Sequence, residues 1–320
     1  MNTIEFGDCR ETMRRWKEQG IKAQTCVTSP PYYGLRDDGH EGQIGLEKTP
    51  EEYIKAMVEV FRCVWDVLED DGTLWLNIGD SYAGSGGAGG QYKLGGIAKT
   101  GTSAPSTWSA EYSKKPVTLN VQGCKPKDLI GTPWALAFAL RADGWYLRQD
   151  IIWHKPNPMP ESVQDRCTKS HEYIFLMSKS QKYYYDAEAI AEPSIHYGSD
   201  KRSDMGNIRY EGKRTQGDAA SNGQQSFVTV NENRNKRSVW TVNTKPYAGA
   251  HFAVFPQELI EPCIMAGAPV GGIVLDPFMG SGTTAQVAQN LGRQYLGCEL
   301  NPEYKSLQNK RLAQRSLVLE

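Results

Sequence analysis

The chain has 320 residues, 39% of them hydrophobic, and a formal net charge of −1, so it can bury one large core or two modest ones. A giant multidomain protein is excluded, and so is the overall basic excess common among nucleic-acid binders: any polyanion must be met by local charge. Seven cysteines (9, 26, 63, 124, 167, 263 and 298) contain no C-x-x-C pair and are odd in number, which argues against a disulfide framework and a zinc site. No metal is expected. No run approaches the roughly 18–20 apolar residues of a membrane span, and residues 1–20 lack a signal peptide's basic start and apolar stretch, so the expected location is the cytoplasm, away from membranes.

In chain order, Cys26-Val27-Thr28 reads as the end of an apolar strand. From Glu51 to Leu68, Ile54, Met57, Val58, Phe61, Trp65 and Leu68 recur at helical spacing, and Thr49-Pro50-Glu51-Glu52 supplies a cap, a first-turn proline and acids. Asp71-Gly72 predicts a turn into a buried strand, Thr73–Ile78. From Ser81 to Pro126 glycine, serine and lysine crowd together with a single acid, Glu111, as expected of a long mobile loop (83–126). Thr132-Pro133 opens a helix to about Arg141, and Tyr146–Trp153 is a strand. Tyr173–Met177 and Lys182–Tyr185 are expected as strands close enough for a hairpin. Tyr197–Trp240 carries eight Lys/Arg against five Asp/Glu with little hydrophobic period. Pro256–Ala266 then reads as a helix, Gly272–Leu275 as a strand, Thr283–Leu291 as a helix and Gln294–Cys298 as a strand. Such alternation predicts an α/β fold with a mostly parallel sheet, helices on both faces, and ligands at the carboxyl ends of the strands.

Two segments carry chemistry. Asp276-Pro277-Phe278-Met279-Gly280-Ser281-Gly282-Thr283-Thr284-Ala285 places a G-x-G-x-x-A loop between strand and helix, where glycines let the backbone approach a ligand. Glu299 ends the next strand, where a carboxylate can accept from both ribose hydroxyls. The pair indicates an adenosine-containing cofactor, and a dinucleotide-dependent oxidoreductase fits that loop as well as a methyl donor does. The loop's position, roughly 45 residues from the end, leaves no room for the rest of a dinucleotide half-pair.

The second segment is Thr28-Ser29-Pro30-Pro31-Tyr32. Consecutive prolines fix the backbone and remove two N–H donors, so the local carbonyls and the Ser29 hydroxyl are offered as acceptors to an incoming amine. Tyr32 can stack on a base held out of its duplex, or be the buried tyrosine of a rigid turn.

Ser29-Pro30-Pro31-Tyr32 resembles the catalytic motif of DNA amino-methyltransferases, and Asp276–Gly282 resembles their cofactor motif, D-P-F-x-G-S-G. Catalytic motif first and cofactor motif last resembles the circularly permuted, beta-type arrangement. The resemblance implies a Rossmann-like S-adenosylmethionine-dependent methyltransferase fold with a target-recognition insert. It implies Ser29, Pro30, Pro31 and Tyr32 as catalytic. For the cofactor it implies Thr28, Asp276, Pro277, Phe278, Gly280, Ser281, Gly282, Thr283 and Glu299, with Asp8 of Ile4–Asp8 at the adenine and Phe255 of His251–Pro256 over the methionine end. Ile151–Asn157 resembles the segment lining the base pocket.

The regions so implied are 1–187 (catalytic), 188–242 (target recognition) and 243–320 (cofactor-binding, completing the catalytic domain). Lys155, Lys201, Arg202, Arg209, Lys213 and Arg214 are the expected contacts to double-stranded DNA. Serine at the first catalytic position associates with N4 of cytosine, leaving N6 of adenine as the alternative; RNA is a further substrate class with related motifs. Pro262-Cys263, the sole Pro-Cys pair, precedes the cofactor loop, so a C5-cytosine thiolate mechanism is rejected. His154 and His171 read as structural. The resemblance further implies a homodimer, and a cognate restriction endonuclease would not be needed for activity.

Overall fold

The computed structural model describes residues 1–34, 39–40, 42–84, 123–194, 232–245 and 255–313. By its own contacts the chain forms two compact units, Met1–Asp186 with Arg237–Glu320, and Ala187–Lys236. The larger is built on one sheet in the order β1-β10-β9-β2-β3-β5-β4-β8. Its strands are β1 (Asn2–Phe6), β2 (Ala23–Thr28), β3 (Leu68–Ile78), β4 (Tyr146–His154), β5 (His171–Ser178), β8 (Val239–Thr241), β9 (Ile273–Asp276) and β10 (Gln294–Glu299). All neighbours are parallel except β5, which runs antiparallel to β3 and β4.

The helices cover both faces. On one lie α1 (Cys9–Glu18), α2 (Pro50–Val67) and α3 (Thr132–Ala142), whose Met13, Trp16, Met57, Phe61 and Leu136 share a core with Leu74, Leu76 and Ile78 of β3. Alternation turns Thr73 and Trp75 to the opposite face. There α4 (Gln257–Gly267) comes so close that a Cβ on Gly267 would stand 2.6 Å from Thr25 Oγ1 and 2.9 Å from Trp75 Nε1. Helix α5 (Thr283–Asn290) follows β9, and α6 (Lys305–Ala313) follows β10. No described helix is long and apolar enough to cross a membrane.

Local chemistry explains the element ends. Thr49 accepts from Glu52 N at 3.2 Å and Pro50 occupies the first turn, so α2 starts where the sequence signals it. Asp80, just beyond β3, lends its carboxylate to the N–H groups of Gly131 and Thr132 and to the Thr132 hydroxyl, capping α3 from 52 residues away. Most of the expected mobile loop, residues 85–122, lies outside the described residues; beside it Ala83 N donates to Asp128 O at 2.9 Å and Lys127 N to Ala83 O at 2.8 Å.

Two expectations change. Asp71-Gly72 does not separate helix from strand: β3 begins at Leu68, and the register jumps from Ala23–Leu68 to Thr25–Thr73, leaving Glu69–Gly72 as a bulge. A Cβ on Gly72 would stand 2.9 Å from Glu69 O, so glycine marks a close backbone approach there. Lys182–Tyr185 is not a strand. Its bonds go to scattered partners, Tyr184 N to Asp71 O at 2.9 Å for one, and the Tyr185 ring stacks on Trp75 at 6.3 Å. Tyrosines that favour strands locally are used here for packing. The antiparallel partner of β5 is β4.

The smaller unit, by itself, contains the short antiparallel pair β6 (Glu192–Pro193) and β7 (Asn233–Arg234), with Glu192 facing Arg234 at 3.5 Å and Lys236 at 3.9 Å. Val239–Thr241, within the region 188–242 that the resemblance assigns to target recognition, pairs with β4 in the main sheet.

Candidate functional site

Strand order locates the site. From β9 the chain passes through α5 to β10 on one side, and from β2 through α2 to β3 on the other, so the crevice between the carboxyl ends of β9 and β2 is the switch point where α/β sheets bind ligands. The two motifs of the sequence end those strands. They are tied across the crevice: Thr28 Oγ1 donates to Asp276 Oδ1 at 2.6 Å, and Thr284 Oγ1 donates to Asp276 Oδ2 at 2.6 Å. Phe278 N also bonds Oδ1 at 3.0 Å, closing the turn after β9. Burial pushes the Asp276 carboxyl up to about 6 despite these three donors.

On this side the remaining residues form one bracket. Gly280 and Gly282 have φ of +53° and +86°, conformations that favour glycine, and Gly282 opens α5. Glu299 accepts from Gly280 N at 2.7 Å and Asn301 N at 2.8 Å, so the carboxylate expected at a ribose also fastens the glycine loop. Helix α6 backs the loop: Gln308 donates to Gly280 O at 2.7 Å, and buried Arg311 donates to Thr283 Oγ1. Ser281 Oγ is buried without a hydrogen-bond partner among the described residues, which suits a loop whose missing partner is a polar ligand. Pro277 is buried; Phe278 and Phe255 are half-buried. Asp8 caps α1 through Arg10 N and is gripped by the Arg10 guanidinium, which holds its carboxyl below the usual range. Gly7 N bonds Glu299 O at 2.8 Å, which sets Asp8 beside the β10 end.

On the β2 side Ser29 is half-buried and Pro30 buried. Tyr53 of α2 donates to the Pro31 carbonyl at 2.9 Å, while no described donor bonds the Pro30 carbonyl. The Tyr32 hydroxyl donates to Glu172 Oε2 at 2.9 Å, with Asn77 Oδ1 and Ser29 Oγ each 3.4 Å away. Burial, then the Glu172 charge, pushes this phenol well above its ordinary range. Lys155, expected at a phosphate, pairs instead with Glu172 and lies 4.1 Å from the Trp153 ring centroid. Lys169 is half-buried and has no ion pair among the described residues; burial pulls its pKa down, against the pull of Asp80 and Glu172. Lys201, Arg202, Arg209, Lys213 and Arg214 lie outside the described residues.

Glu172, Asn77, Lys169, Tyr53 and Gln308 were not singled out from the sequence. The one visible signal among them was an acid, Glu172, at the head of an apolar strand.

Residues 23–310 match the sequence model of the N6/N4 methyltransferases, described as DNA methylase. The chain belongs to this DNA methylase family. Over 98% of its length it is 48% identical to the Type II methyltransferase M.SmaI of Serratia marcescens, spanning 91% of that protein. It is 46% identical to the Type II methyltransferase M.Cfr9I of Citrobacter freundii, over 97% of this chain and 87% of the relative. Its fold is shared with PvuII DNA methyltransferase (cytosine-N4-specific), at a TM-score of 0.60 and 16% identity over 99% and 88% of the two chains. M1.HpyAVI, solved as a complex with SAM, gives a TM-score of 0.55 at 18% identity, over 98% of this methylase and 100% of that chain.

Proposed function

We propose that this DNA methylase transfers the methyl group of S-adenosylmethionine to the N4 amine of a cytosine flipped out of duplex DNA. The observation that carries the reading is the pair of bonds from Thr28 and Thr284 to Asp276, which holds Ser29-Pro30-Pro31-Tyr32 beside the glycine loop. The cofactor supplies an electrophilic methyl group on a sulfonium.

An exocyclic amine is a poor nucleophile because its lone pair is delocalised into the ring. Acceptors that grip its two hydrogens favour a tetrahedral nitrogen with the lone pair free to attack. Ser29 Oγ and the Pro30 carbonyl are offered for this, since Tyr53 already occupies the Pro31 carbonyl. The amine nitrogen forms its new bond as the methyl–sulfur bond breaks, and it then loses one proton to solvent. Tyr32 supplies the face on which the base rests. Thr28, Asp276, Pro277, Phe278, Gly280, Ser281, Gly282, Thr283, Glu299, Asp8 and Phe255 would hold the cofactor, with Ser281 Oγ as one unmatched polar group to be met. Residues 188–242 read the sequence, and Lys201, Arg202, Arg209, Lys213 and Arg214 supply phosphate contacts; Lys169 is better placed than Lys155 to meet a phosphate beside the target nucleotide.

Support for cytosine is the serine at the head of the motif. The test is expression in a methylation-deficient bacterial host, with genomic DNA digested and both modified bases quantified by mass spectrometry. N4-methylcytosine, lost with Ser29→Ala, is expected. N6-methyladenine would overturn the base assignment, and neither mark from a folded, cofactor-binding protein would overturn DNA as substrate.

A further inference from the structure

Tyr32 is fixed at two points that the motif itself does not supply. Its ring lies against the backbone at Gly79, where a Cβ would stand 2.7 Å from Tyr32 Cε2. Its hydroxyl donates to Glu172 Oε2, which also receives the Asn77 amide at 3.4 Å. The second oxygen of Glu172 pairs with Lys155, and both side chains are largely buried, at 16% and 17% exposure. An ion pair at that depth is weak support for stability, because desolvating two charges offsets most of their attraction. It does hold a carboxylate in one place, and the tyrosine hydroxyl is attached to that carboxylate.

We propose that Glu172, itself held by Lys155, is a positioning residue that anchors the Tyr32 ring against Gly79 for the extruded base. This rests on the reading of Tyr32 as the surface that receives that base. A ring anchored at its hydroxyl and backed by Gly79 cannot swing out of the pocket when the base leaves. The base then meets a preformed surface, with its amine directed at Ser29 and Pro30.

The test uses a duplex containing the methylated site from the genomic experiment, with a fluorescent base analogue at the target position, together with single-turnover rates and cofactor affinity by calorimetry. Glu172→Ala is expected to lower both the extrusion signal and the single-turnover rate by about 10- to 100-fold, with cofactor affinity unchanged within about twofold. Glu172→Gln keeps an acceptor for the hydroxyl and recovers most of the rate. In a Tyr32→Phe background the Glu172→Ala change costs less than about twofold more, because its effect passes through the missing hydroxyl. Should Glu172→Ala fail to fold, Lys155→Met carries the same comparison, keeping an unbranched side chain of similar length while removing the ammonium that pairs with Glu172 and lies over the Trp153 ring.

Additive losses in the Tyr32→Phe background, or a rate loss explained by cofactor affinity, would overturn the proposal. An undiminished extrusion signal in Tyr32→Ala would instead remove the underlying reading of Tyr32, so the two failures are distinguishable.

Discussion

The two walls of the crevice are built differently. Around the glycine loop the β9 wall is closed mainly by neutral donors and backbone groups (threonine hydroxyls on Asp276, glycine N–H on Glu299, Gln308 on the Gly280 carbonyl), with Arg311 on Thr283 and the Asp8–Arg10 pair as its charged supports. The β2 wall relies on a half-buried ionic set, Tyr32–Glu172–Lys155, with Lys169 alongside. The difference follows the ligands. On the proposed reading, a cofactor that enters the same way each turnover is served by a loop whose backbone is fixed in advance, whereas an extruded base brings phosphates with it and is met by charge.

The largest way to break this contrast is at Asp276. Its folded-state pKa, about 6, lies above the ordinary 3.8, so the group's contribution to stability is complete below about pH 4 and is lost as pH rises through 6. Two units correspond to a differential on the order of 3 kcal/mol. Asp276→Asn, which removes the charge and puts an NH2 donor where Thr284 now donates, so that the Thr284 hydroxyl must turn to accept, should lose the pH dependence and gain stability relative to the parent as pH rises from 4 to 7. Urea unfolding across that range checks it, and parallel pH profiles would show that Asp276 does not carry this linkage.

Gly79→Ala attacks the other wall. The added methyl collides with the Tyr32 ring and stands 3.3 Å from Glu172 Cδ, so the single-turnover rate should fall about tenfold or more while cofactor affinity stays level. Equal losses in both would mean that the walls are not separable. The smallest effect is expected for Lys169→Gln: a few-fold loss in DNA affinity, with the salt-dependence slope reduced by about one. An unchanged slope would remove Lys169 from the phosphate contacts.

What could be read in advance was what is written locally. Helix α2 announces itself by cap, proline and period, and the glycine loop and the Ser-Pro-Pro-Tyr turn are contiguous signals whose placement at neighbouring strand ends follows from the alternating pattern. What escaped depends on partners distant in the chain. Glu172 is one acid among many until β5 brings it to Tyr32, 140 residues away; Asp80 caps a helix it does not precede; the three residues of β8 form a strand only because β4 offers an edge. The error at Lys182–Tyr185 has the same origin, since aromatic residues suit strands and ring stacks equally.

The bond from Thr28 to Asp276 spans 248 residues, and β1 has β10 as its partner in the sheet. During synthesis β1 therefore leaves the ribosome long before its partner β10, and β2, which can pair early with β3, waits as long for β9 on its other side. A nascent chain holds β2 with one flank bare, open to any other extended segment, until nearly the last strand arrives. Such long-range pairing makes for slow completion. The crevice between β2 and β9 forms in the same late event that seals the sheet, so, on the proposed reading, an incomplete copy has no half-working site with which to mark DNA.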